Sequence, residues 1–230
     1  MSAPVIVELP GGGRALFSDR TLGNVSSVGG EGAEQGIEAR ERLRLLTGAE
    51  RLVRGHQIHG ALVARVSELP AAEPRTGQHR PADPADGQAT ALAGVATMVL
   101  GADCMPVALG RAGAVAMVHA GWRGMAAGVL EEGVLAVREL GGDGPIVAVA
   151  GPAAGVCCYE VGPEVHGALG GAHAHGRNID LRAIAHERLL AAGVNEVLDV
   201  EACTICDERF FSHRREGERA GRQAGVAWLS

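Results

Sequence analysis

Three short segments concentrate the side chains able to do chemistry: His56-Gln57-Ile58-His59-Gly60, Gly101-Ala102-Asp103-Cys104-Met105-Pro106 and His119-Ala120-Gly121-Trp122-Arg123-Gly124. Each is predicted to lie where a strand ends in a glycine or proline turn, the place from which a rigid sheet presents side chains to a pocket. Cys104 and His119 flank a predicted hairpin over 107–119 that turns at Gly110–Gly113. A hairpin brings its ends together, so a thiolate and an imidazole can meet there. His56 and His59 are three residues apart. On a regular strand an odd offset sends two side chains to opposite faces, so one of the pair joins the group, and spacing does not say which.

A His, Cys, His set with a free fourth position is the pattern of a catalytic zinc, one per chain. Such an ion brings the pKa of a bound water towards about 7. Asp103, next to Cys104, is placed to orient that water or shuttle its proton. Arg123 offers its planar fork to an anion such as phosphate. Ser212 and Arg214, in the segment RFFSHRREG, are candidates to line a pocket. Taken singly, each residue has a plainer reading. A lone Cys is usually a small buried hydrophobe, a lone His a hydrogen-bonded filler, and Trp122 a packing residue. The metal reading rests on three clusters coinciding. A metal-free Cys104–His119 nucleophile pair is the competing chemistry.

The other cysteines are Cys157, Cys158, Cys203 and Cys206. An odd total of five fits a disulfide framework poorly, and a chain of 230 residues has core enough not to need one. Reduced thiols in a cytoplasm are the expectation. Cys203-Thr204-Ile205-Cys206 is a CxxC, but Cys157-Cys158 lacks the spacing of a usual second half-site, so these four are read as structural thiols.

Composition removes whole classes of function. All 21 Lys+Arg residues are arginine, which excludes Schiff-base lysine chemistry and Walker-type phosphate loops. A net charge of -6 with 3% aromatics leaves no nucleic-acid footprint. No apolar run reaches the roughly 18–20 residues that span a bilayer. The N-terminus lacks a basic region followed by a long apolar core, so no secretory signal is expected.

The elements that must position these residues mix strands and helices without strict alternation. Strands are predicted over 5–9 and 14–19, in two pieces bent at Gly60 within 51–69, and over 95–100, the hairpin, PIVAVAGP, EVLDVEAC and GVAWLS. Helices are predicted over 34–47, with Ile37, Leu43 and Leu46 on one stripe, over 125–140 with Glu131 and Glu132 outward, and over 180–193 capped by Asp180 and stopped by Gly193. Residues 70–88 read as a Pro-rich polar loop and GALGGAHAHGRN as a solvated one. The expected fold class is α+β, with a mixed sheet or sheets covered by helices, as a single domain over 1–230.

HQIHG, GADCMPV, VHAGWRG, GPAAGVCCYEVGPEV, IDLR and CTICDERFFSHRREGERAGRQ, in that order, resemble a bacterial family. It is described as polyphenol oxidase or laccase-domain proteins, also as peptidoglycan editing factor and as purine nucleoside phosphorylase-like proteins. The likeness runs from Arg14 to the C-terminus. It implies mixed β-sheets in a sandwich flanked by helices, and a single zinc held by His59, Cys104 and His119, thereby choosing His59 over His56. It also implies phosphorolysis of adenosine, inosine and methylthioadenosine, and deamination of adenosine. On that reading Asp103 transfers a proton and Arg123 holds phosphate. Copper-dependent phenol oxidation is the alternative, and a Cys104-dependent hydrolase acting on cell-wall precursor peptides is a third. The segment RTLGNVSSVGGEG departs from the family pattern, and the Cys104–His119 interval is shorter than usual.

Overall fold

The computed structural model describes residues 4–26, 33–69 and 83–230. Most of the predicted loop over 70–88, and part of RTLGNVSSVGGEG, lie outside them. Strand β1 (Val5–Leu9) turns through Gly11 and Gly12, both at positive φ, into its antiparallel partner β2 (Gly13–Phe17). Helix α1 (Ala33–Thr47) stops at Gly48, whose φ of 69° suits glycine. Next come β3 (Arg51–Val53), β4 (Val63–Val66), β5 (Gly87–Thr90) and β6 (Val95–Gly101). The hairpin is β7 (Met105–Arg111) and β8 (Ala114–Ala120), followed by α2 (Trp122–Ala127) and α3 (Val129–Leu140). The remainder is β9 (Val147–Ala150), α4 (Pro163–Ala168), β10 (Ala174–His175), β11 (Asn178–Ile179), α5 (Leu181–Ala191), β12 (Glu196–Asp199), α6 (His213–Glu216) and β13 (Gln223–Leu229).

Two mixed sheets form, ordered β1-β2-β13-β6-β3 and β12-β9-β7-β8-β5-β4. Phe17, Val99 and Ala227 of the first interleave with Ala108, Val115, Met117 and Val149 of the second. The first sheet's outer face, with Met98, Val226 and Trp228, is covered by Ala39 and Leu43 of α1. The second's outer face, with Val107, Leu109 and Val118, is covered by α3 and α5. The fold is therefore the expected α+β sandwich, in four layers from α1 to the α3–α5 pair. No helix among the described residues is long and apolar enough to cross a membrane.

Several expectations change in detail. The helix over 125–140 is two helices, broken at Gly128 with φ 94°. Glu131 and Glu132 are half-buried, because Arg188 and Arg65 respectively pair with them. Leu46 is exposed, and α1 turns Ala39 and Leu43 inward instead. The tail of the supposed loop, Gly87–Thr90, is a fully buried strand between β4 and β8. His173 and His175 border a small exposed hairpin, where His173 meets Glu187 at 2.8 Å.

Asp180 caps α5 as expected, accepting from the N–H groups of Arg182 and Ala183. Arg182 in turn joins Asp199 at 2.5 Å, and His186 adds a second contact at 2.9 Å. Burial pushes the Asp199 carboxyl up, but Arg182 and His186 outweigh it and hold it below the usual value. A depressed carboxyl contributes stability above the ordinary carboxylate range and loses it as pH falls through its own lowered pKa. Asp199→Asn should therefore lower Tm by a few degrees at neutral pH, at about 2–4 °C per kcal/mol for about 1 kcal/mol. The gap between variant and parent should close in acid, as read from Tm against pH.

Candidate metal centre

The chain passes from the first sheet to the second twice near one spot. One passage, 54–62, links β3 to β4; the other, Ala102-Asp103-Cys104, links β6 to β7. Gln57 fastens the first beside the second: its Nε2 donates to Leu100 O at 2.7 Å, and its Oε1 accepts from Leu100 N at 2.8 Å. The β7–β8 register pairs Met105 with Ala120, which sets Cys104 opposite Gly121 and next to His119.

His59, Cys104 and His119 consequently converge, with ligand atoms within 4.8 Å of one another. Cys104 Sγ lies 3.9 Å from His59 Nε2, and the two imidazoles meet edge to face at 4.9 Å between centroids. His56 stands apart, exposed, in a bridge to Pro84. One histidine of the pair joins the group, but no strand separates the two: 54–62 is a loop, and His59 holds a φ of 60°.

Asp86 organises this loop, a role that no local pattern signals. Its carboxylate is fully buried and accepts from three consecutive N–H groups, Ile58 at 3.1 Å, His59 at 2.9 Å and Gly60 at 2.7 Å. It also accepts from His119 Nδ1 at 2.9 Å, which leaves Nε2 of that ring for a ligand. Burial pushes Asp86 up, but His119 and the N–H groups of Gly60 and Ile58 hold it below the usual carboxylate value. Burial likewise raises Cys104, yet His119 and His59 overcome this and bring the thiol down to about 6. Burial lowers His119, but Cys104 and Asp86 raise it to about 9. The group is a ready-charged thiolate beside an imidazole held in one orientation, a donor set that suits a borderline cation such as zinc.

Gly121 is required by space. A Cβ there would lie 2.9 Å from Cys104 Sγ and 3.2 Å from His59 Cδ2, although its backbone is ordinary. Gly121→Ala should fold normally but bind metal at least ~10-fold more weakly, the scale of a disturbed metal environment. Competition with a chromophoric chelator checks this.

The other predicted residues divide into two sets. Asp103, at φ 84°, accepts from Thr204 Oγ1 at 2.7 Å, Ser212 Oγ at 3.1 Å and Arg214 N at 2.7 Å. Both of its oxygens are thus spent on holding neighbouring segments beside Cys104. Ser212 is fully buried, bonded to Asp103 and capping α6 through Arg215 N, so it cannot line a pocket as expected. Arg123 and Arg214 do line one, a cleft of ≈ 590 Å³ shared with Trp122, Tyr159, Glu160 and Arg177. Arg123 stacks on Trp122 at 4.2 Å and Arg214 on Tyr159 at 5.2 Å. Burial, with the negative charge of Cys104, pushes the Tyr159 hydroxyl up to about 12, so it stays protonated.

A family model described as multi-copper polyphenol oxidoreductase laccase matches residues 17–230. The chain belongs to this family. Among laccase-family relatives, a purine nucleoside phosphorylase of Xylella fastidiosa is 37% identical over 246 residues, spanning 100% of this chain and 92% of its own. An adenosine deaminase from an unknown prokaryotic organism is 34% identical over 222 residues, 86% of this chain and 84% of its own. The crystal structure of a Neisseria meningitidis protein superposes with a TM-score of 0.81 at 28% identity, covering 100% of both chains. This laccase-family fold therefore recurs whole.

Proposed function

We propose that the chain is a zinc-dependent, cytoplasmic purine nucleoside phosphorylase acting on adenosine, inosine and methylthioadenosine, with adenosine deaminase activity. The observation that carries this reading is a cleft lined by Trp122, Tyr159, three arginines and two glutamates, joined to the His59–Cys104–His119 group through Trp122, which follows Gly121, and through Tyr159, which feels the charge of Cys104. The names of the relatives point the same way. His59, Cys104 and His119 would hold the ion, which when bound supplies Lewis acidity towards the substrate or solvent.

Phosphorolysis joins a phosphate oxygen to C1′ of the ribose and breaks the C1′–N9 bond, and the departing purine takes a proton. Arg123 is suited to the phosphate. It is exposed, stacked on Trp122, and no carboxylate among the described residues forms an ion pair with it. Arg214 is anchored by Glu160 O at 2.9 Å and adds a second cation to the cleft, whereas Arg177 is paired with Glu160. The protonated Tyr159 hydroxyl can donate to the purine, and the two aromatic faces offer stacking for a flat base. Asp103 and Ser212 act as positioning residues: they fix Cys104 against the start of α6, which carries Arg214.

Incubating zinc-loaded protein with adenosine, inosine or methylthioadenosine, with and without phosphate, tests the proposal. Phosphate-dependent release of free base, or phosphate-independent conversion of adenosine to inosine, supports it. Neither product would overturn it.

Copper-dependent phenol oxidation is the second reading, favoured by the family description. Coupling phenol oxidation to oxygen through a trinuclear centre needs a further histidine cluster. Among the described residues the other potential metal group is made of cysteines alone.

A further inference from the structure

The pairs Cys157-Cys158 and Cys203–Cys206 lie far apart in sequence, yet their four sulfurs all fall within 4.8 Å of one another. Cys157-Cys158, which lacks the spacing of a second half-site in sequence, lies against Cys203 and Cys206 in space. Two turns build the cluster, one before α4 and one after β12. They are zipped together by backbone bonds, Thr204 N to Ala153 O at 2.9 Å and Ala153 N to Ala202 O at 3.3 Å. Adjacent side chains diverge on a strand, but residues 155–158 form a turn in which Cys158 N and Tyr159 N both donate to Gly155 O.

We propose that these four cysteines form a second metal site, a tetrathiolate that takes a thiophilic divalent cation, zinc, in a structural role. Four sulfurs at about 2.3 Å from a tetrahedral zinc stand about 3.8 Å apart. Cys157 Sγ and Cys206 Sγ are 3.5 Å apart, near that edge. Cys158 and Cys206 are closer, at 2.6 Å, and separate to admit the ion. Cys203 Sγ already accepts backbone N–H groups, from Gly155 at 3.3 Å and from Cys206, as a thiolate ligand does. Gly155 leaves room for this: a Cβ there would stand 3.3 Å from the sulfurs of both Cys157 and Cys203. Arg215 holds the intervening turn, donating to Thr204 O and Ile205 O at 2.8 Å each. Binding releases the thiol protons and changes no oxidation state. A Cys158–Cys206 disulfide is the competing state, but it leaves Cys157 and Cys203 packed against it without a role.

The site would brace the cleft. Cys158 is part of its wall beside Tyr159, and Thr204 is the residue whose hydroxyl holds Asp103. It stands independently of the reaction proposed above.

Metal stoichiometry of the intact chain, purified under reducing conditions and reconstituted with zinc, is the test. The expected result is two equivalents per chain, with all five thiols titrating after denaturation with chelator. Cys104→Ser should retain one equivalent, and its cobalt derivative should show the red-shifted bands of a four-sulfur field. Cys206→Ser, at an exposed position, should lose the second equivalent while keeping the first. A single equivalent in the parent that vanishes in Cys104→Ser would overturn the proposal. So would a linked Cys158–Cys206 peptide under those reducing conditions. The parent's stoichiometry decides the matter even if a variant fails to fold.

Discussion

Cys104→Ser should empty the His59–Cys104–His119 group of its ion and abolish turnover. The loss should exceed the roughly 10–100-fold that follows removal of an outer partner of a metal ligand. A serine hydroxyl does not ionise near neutrality, whereas the Cys104 thiol, brought down to about 6 beside His119, is already a thiolate there. The residue is half-buried at the start of a strand, with Gly121 directly opposite, so the smaller oxygen fits and the fold should survive. Equilibrium dialysis and turnover measured on the same sample separate two chemistries. One equivalent lost relative to the parent, together with activity, is the ligand result. The parent's full stoichiometry retained while activity vanishes would make Cys104 a nucleophile and would favour the cysteine-type hydrolase acting on cell-wall precursors, for which the Cys104–His119 pair is well charged.

Asp86→Asn should be nearly as damaging, although the residue touches no substrate. The carboxylate accepts from three N–H groups and one imidazole nitrogen while fully buried. An amide offers one oxygen, and its NH₂ must face donors. At least one partner is left unsatisfied, at about 1–3 kcal/mol each, or about 2–4 °C of Tm per kcal/mol for a chain of this size. His119 also loses the acceptor that fixes its ring, so metal affinity should drop by roughly 10–100-fold. Calorimetry of the metal-free protein and a chelator titration read the two effects separately. Unchanged metal affinity would show that the 58–60 loop is held by other means.

What was legible in the chain follows from how local each signal is. The β7–β8 hairpin is a run of apolar residues around a short turn, and its register alone delivers Cys104 to His119. His59 was not legible in that way, since its approach depends on Gln57 gripping Leu100 and on Asp86 gathering the loop, both distant in sequence. Asp86 itself hides in PADPADGQAT, whose composition reads as a polar turn. Strand β5 follows it with small and polar residues that are buried only because β4 and β8 flank them. Ser212 looked like a pocket residue because a hydroxyl among arginines usually faces solvent, whereas here Asp103 draws it inward. The partner of the CxxC was invisible because Cys157-Cys158 becomes a half-site only when β9 and β12 run parallel and bring the two turns together.

His59 and Cys104 both ride on stretches where the chain leaves one sheet for the other, and His119 closes the end of the second sheet. An ion gripped by all three is therefore a rivet through the laminate. Prising the sheets apart at this end would mean breaking coordinate bonds, so an occupied site adds resistance to a sandwich that folds without it.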